Sequence, residues 1–155
     1  MPSESSSTAP LLSQALPGTW RLVTRIDRTL DGELREEPSL GSDPVALLFY
    51  DRAGHFSAQF MKRDRSSTNA EPGSSSPPAN NTRAQGGYDA YFGSYSVDDA
   101  NGTVTQTLDG ALSPENVGLI VTREMLVSGN ALTIALQTTS GAQQVIRTLV
   151  WERIG

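Results

Sequence analysis

Tyr91-Phe-Gly-Ser-Tyr-Ser-Val97, then Asp98-Asp-Ala-Asn-Gly102, then Thr103-Val-Thr-Gln-Thr-Leu108 is the stretch that decides the fold. Tyr91, Gly93, Tyr95 and Val97 alternate with Phe92, Ser94 and Ser96, and Val104, Gln106 and Leu108 alternate with threonines. A period of two places successive side chains on opposite faces of a strand, and aromatic and β-branched residues suit that geometry. The Asp, Asn and Gly between the two runs are turn formers. The segment therefore predicts an antiparallel hairpin with one largely apolar face.

Outward from this hairpin the same grammar repeats. Val45-Ala-Leu-Leu-Phe-Tyr50 is a dense apolar strand, and Asp51-Arg-Ala-Gly54 turns it into a second strand over 55–62. Alternation leaves open which face of 55–61 points inward. Further strands fit 119–127, 131–138 and 143–154, punctuated by Ser128-Gly-Asn130 and Ser140-Gly141. Near the amino terminus, Trp20, Leu22 and Ile26 are read on one face and Arg21, Arg25 and Asp27 on the other, with Asp31-Gly32 as a hairpin turn. Pro10-Leu-Leu-Ser-Gln-Ala-Leu16 makes one short helical turn, ended by Pro17-Gly18. Only residues 82–91 hint at a longer helical period. The expectation is an all-β chain: a single antiparallel up-and-down barrel of about 8–10 strands, because closure removes both sheet edges. A two-sheet sandwich is the alternative.

With 155 residues the chain is one domain. Residues 1–9 read as a disordered tail, and 10–155 as the barrel, interrupted by a flexible insert at about 63–86 whose Ser- and Pro-rich text cannot be a strand. A net charge of −5 without a basic run speaks against nucleic acid. No window is apolar enough to span a membrane. One histidine and no cysteine leave no metal constellation and no thiolate chemistry, and no Gly-rich phosphate loop is present, so neither metal nor cofactor is expected. The Met-Pro-Ser-Glu-Ser start lacks the basic and apolar regions of a secretory signal, so the expected location is cytoplasmic. The oligomeric state is left open.

Gly18-Thr-Trp-Arg-Leu22 resembles the Gly-x-Trp signature of lipocalins. Leu47-Leu-Phe-Tyr-Asp-Arg-Ala-Gly-His-Phe-Ser-Ala-Gln-Phe-Met61, Ala90-Tyr-Phe-Gly-Ser-Tyr-Ser-Val-Asp98, Gly102-Thr-Val-Thr105 and the closing Arg147-Thr-Leu-Val-Trp-Glu-Arg153 are similar, in order, to the lipocalin-like domain family of small bacterial and fungal barrels. The resemblance implies a calycin-type barrel with an internal cavity for a hydrophobic small molecule. It also implies an arginine near the chain end stacked on Trp20, with Arg153 or Arg147 as the candidates. Some members act in natural-product pathways, which points to a cofactor-independent isomerase or cyclase; a non-catalytic carrier is the alternative, and a side-chain-filled interaction module a third. The family often carries His where Gln106 stands, which removes a possible general base here. It also often has an aromatic near Asn116, so the cavity rim differs.

Each candidate site residue has a functional and a structural reading. Tyr95, Arg123 and His55 are the catalytic candidates: a phenol donor, an anion anchor and an acid–base group. Their structural counterparts are rim packing, pairing with a protein carboxylate and plain exposure after a turn. Tyr50, Gln59, Met61, Tyr91, Gln106 and Trp151 are the ligand-binding candidates, as polar or aromatic groups on largely apolar strands. Gln106 in particular needs a partner, be it a side chain, a water or a ligand, because an unpaired buried amide costs about 1–3 kcal/mol.

Overall fold

The computed structural model describes residues 10–41, 43–64, 86–140 and 142–155. The tail 1–9 and all but the ends of the 63–86 insert lie outside the described residues. After a one-turn helix α1 (Leu12–Ala15) come β1 (Gly18–Thr29), β2 (Leu34–Arg35), β3 (Val45–Tyr50), β4 (His55–Met61), β5 (Tyr88–Asp98), β6 (Thr103–Ala111), β7 (Ile120–Ser128), β8 (Ala131–Ser140) and β9 (Gln143–Arg153). A single 3₁₀ turn, Pro114–Asn116, lies between β6 and β7. Residues 88–91, where a helical period was expected, are strand: the alternation of Asp89, Tyr91 and Gly93 on one face governs them.

From β3 to β9 each strand pairs antiparallel with the next. β1 pairs with β3 along one edge and with β9 along the other, so the sheet closes into an eight-stranded barrel with β2 as one extra strand. Closure leaves no sandwich. The connecting turns owe their shape to short polar side chains. Asp51 Oδ1 accepts from the Ala53 and His55 amides at 2.9 and 2.8 Å, and Asp98 Oδ1 from the Ala100 and Asn101 amides at 3.1 and 3.2 Å. Each turn ends on a glycine with positive φ, Gly54 at 98° and Gly102 at 66°, where a Cβ would be strained.

One barrel end is shut. Trp20 is fully buried there beside Leu16, its Nε1–H donating to the Leu16 carbonyl at 2.9 Å. The Arg153 guanidinium lies 4.3 Å from the Trp20 ring centre and donates to the carbonyls of Pro17 (3.0 Å) and Ala15. Of the two arginines expected over Trp20, Arg153 is the one that stacks. It ties the helical turn, the first strand and the last into one cation–π lock.

Beyond Trp20 the expected facing of β1 needs correction. The β1–β9 register shifts between Leu22 and Thr24. That bulge puts one extra residue into β1 and exchanges its faces. Arg25, Asp27 and Thr29 are consequently buried inside the barrel, and Ile26 is 37% exposed. β4 also resolves to one side. Phe56, Ala58 and Phe60 point inward and are buried, which turns His55, Gln59 and Met61 to the outer face.

The barrel wall has a gap. β1 pairs with β3 only from Gly18 to Arg21, and with β2, on that same edge, only at Asp27 and Arg28. Residues 22–26 have no strand partner there. The 36–41 loop covers the gap, with Leu40 buried beneath it, and a groove of about 440 Å³ runs past Arg25, Ile26, Leu34, Glu37 and Gly41.

Candidate functional site

Inside the barrel, polar side chains occupy two levels. Nearer the shut end, β3 and β6 bring Tyr50 and Gln106 together. The Gln106 Nε2–H donates to the Tyr50 hydroxyl at 2.6 Å, and that hydroxyl points to Met125 Sδ at 3.8 Å. Of the three partners open to Gln106, the structure gives a neighbouring side chain. Burial pushes the Tyr50 phenol well above its usual range, so it stays protonated. Tyr95 packs edge-on against Tyr50, 4.8 Å between ring centres, but its hydroxyl leaves the interior and donates to the Asp51 carbonyl at 2.5 Å.

Further toward the other end lies a layer of charge. Arg147 of β9 grips Asp27 of β1 in a fork, Nε to Oδ1 at 2.8 Å and Nη2 to Oδ2 at 2.9 Å, with both side chains almost fully buried. Such two-point contacts are the strongest form of the pair. Arg25 donates to Glu37 Oε1 at 3.2 Å and to the Gly41 carbonyl at 3.3 Å. Burial works to raise Glu37, but the Ser39 hydroxyl and Arg25 together hold it below the usual carboxylate range. Arg123 of β7 also points in, and no carboxylate meets it among the described residues. Its guanidinium reaches the Thr122 carbonyl at 3.5 Å, the limit of a hydrogen bond.

These groups surround a cavity of about 50 Å³, lined by Phe60, Ile134, Leu136 and Leu149 on the apolar side and by Tyr91, Gln106 and the three arginines on the polar side. Burial, then the neighbouring Asp89, pushes the Tyr91 phenol far above its usual range, so it is a hydrogen-bond donor at any ordinary pH. Two more buried polar atoms have no partner among the described residues: Trp151 Nε1 and Asp89 Oδ2. Asp89 is fully buried on β5, two residues before Tyr91, and burial raises it to about 7 against a single opposing hydrogen bond from the Ala90 amide.

Of the nine candidate residues, Tyr91, Gln106 and Arg123 meet in the cavity. Tyr50 supports Gln106 from below. Trp151 is buried against Phe60, 5.8 Å between rings. Tyr95 packs its ring against Tyr50 and does not line the cavity. His55, Gln59 and Met61, candidates on a strand whose inward face the sequence left open, lie on the outer face and away from the cavity. His55 is exposed and pairs with Asp51 at 3.3 Å, Gln59 accepts from the Tyr88 hydroxyl at 3.2 Å, and Met61 lines a shallow outer cleft beside Val45.

A closed antiparallel barrel with one end plugged by a helical turn, a Gly-x-Trp lock and a mixed apolar and polar interior is a lipocalin-like protein in architecture. The sequence comparison agrees: the family model for the lipocalin-like domain matches residues 17–154, and the chain belongs to that family. No curated protein matches it.

Proposed function

We infer that this protein binds a small, mainly hydrophobic molecule inside its barrel, as the lipocalin-like architecture suggests. The observation that carries the reading is the interior cavity, where four apolar side chains face Tyr91, Gln106 and Arg123. Apolar walls with a few placed polar groups are what ligand sites share. The cavity is about 50 Å³ as it stands. A ligand pocket normally needs at least about 300 Å³. Entry therefore requires the interior to open. Arg25 lines both the cavity and the 440 Å³ groove outside it, so the wall gap under the 36–41 loop is the route that supports such opening.

The finer reading is a cofactor-independent isomerase or cyclase working on a natural-product intermediate in the cytoplasm. Asp89 favours it: a buried carboxyl held near 7 beside Tyr91 is suited to taking and returning a proton at neutral pH. The carrier reading needs no such group. Incubation with hydrophobic biosynthetic intermediates, followed by mass spectrometry, separates the two by whether an isomeric product appears and is lost in Asp89→Asn.

Binding itself is tested with N-phenyl-1-naphthylamine, a neutral probe that brightens in apolar surroundings. The expected result is saturable fluorescence with the wild type and its loss in folded Leu136→Trp, whose indole fills the cavity. A signal that never saturates, or that Leu136→Trp leaves intact, refutes interior binding.

A further inference from the structure

We propose that the Arg123 end of the cavity is a subsite for a single negatively charged, two-oxygen group, so that the ligand is a hydrophobic carboxylate. The proposal rests on the binding reading above and specifies its ligand class.

It comes from accounting for charge. Three guanidiniums line one cavity. Two are neutralised within the fold, Arg147 by Asp27 and Arg25 by Glu37. Arg123 is half-buried with no carboxylate among the described residues, and the nearby Arg147 repels it. Asp89 is not its counter-ion: among the described residues the carboxyl forms no ion pair, and its Oδ2 has no hydrogen-bond partner. A desolvated cation without an anion is costly to a fold, and an apolar residue between Val121 and Met125 would serve packing better. The whole chain is acidic at −5, so Arg123 is no part of a general cationic field.

The surroundings set the class. A guanidinium offers a planar fork that fits two oxygens sharing one charge. The Tyr91 hydroxyl, locked in its protonated form, faces the same cavity as a second donor. One uncompensated positive charge matches a monoanion rather than a dianion. A cavity of about 50 Å³ takes a small polar group, not the hydrocarbon behind it. The hydrocarbon then extends past Arg25, which lines both the cavity and the 440 Å³ groove, into that groove.

The test uses matched competitors that displace N-phenyl-1-naphthylamine from the full chain at pH 7.5: decanoate and decanol. The wild type should bind decanoate about 10- to 100-fold more tightly than decanol, the range for a hydrogen bond to a charged group. Arg123→Gln should reduce decanoate to the level of decanol while still binding the naphthylamine, and Arg123→Lys should keep part of the preference. Equal competition by the two in the wild type overturns the proposal without any variant. A preference that survives in Arg123→Gln also overturns it. Loss of naphthylamine binding in the wild type instead removes the interior site altogether, a separate result from loss of charge preference.

Discussion

Asp89 gives the most demanding quantitative prediction. Its carboxyl is fully buried, and its Oδ2 has no hydrogen-bond partner among the described residues. Burial lifts it from 3.8 in an unfolded chain to about 7 in the fold. Below the lower value both states are protonated and the group has no effect on stability. Between the two values the folded state holds the proton and the unfolded state does not, so stability falls as pH rises. Above the upper value both are ionised and the full penalty is reached. At about 1.4 kcal/mol per tenfold difference in proton affinity, the move from 3.8 to about 7 corresponds to a ceiling of about 4 kcal/mol. Asp89→Asn keeps the shape and removes the charge. Relative to wild type it should gain stability from pH 5 to about pH 7, by a few kcal/mol, and level off above that. Urea unfolding of both proteins at pH 5, 6.5 and 8 measures this directly through the midpoint at constant slope. If the difference between the two proteins is the same at pH 5 and pH 8, the carboxyl is not titrating in a buried site and the reasoning fails.

Two other substitutions probe the frame. Trp20→Ala removes a fully buried indole together with its bond to Leu16 and its stack under Arg153, and should cost about 3–5 kcal/mol in chemical denaturation; a loss under about 1 kcal/mol would mean the lock is not structural. Gly93→Ala would set a Cβ 1.8 Å from the Thr107 carbonyl oxygen and 2.8 Å from the Asp109 amide, at the point where β5 and β6 shift register, so stability should fall by more than the roughly 1–3 kcal/mol of ordinary overpacking; an unchanged melting temperature would show that the two strands separate there at no cost.

Most strands were legible because one face of each is apolar and the turns carry Asp and Gly at the required places. The Asp98–Gly102 turn and its flanking alternation appear in the structure as they read in the sequence. What was not legible follows from single-residue events. Nothing in Arg21-Leu-Val-Thr-Arg25 signals a bulge, yet that bulge decides that Arg25 and Asp27 are interior and Ile26 is not. The pairs Arg147–Asp27 and Arg25–Glu37 were invisible for the same reason, since they join residues up to 120 positions apart. In β4 both faces carry large residues, so Phe56 and Phe60 could not be told from Gln59 and Met61 by periodicity. Asp89 could have been found: extending the Tyr91, Gly93, Tyr95 face two residues back reaches it.

The join between β1 and β9 has a consequence for how the molecule is made. Trp20 pairs with Arg153 and Thr29 with Val145, so the first of the nine strands must wait for the ninth to complete its pairing. During translation β1 waits with one ladder of amides and carbonyls unmet while seven further strands emerge. Contacts this distant along the chain make folding slow and leave an open sheet edge exposed to other chains in the meantime. The barrel should therefore close only after β9 has left the ribosome, and crowding of nascent chains should harm the yield more than it harms the stability of the finished fold.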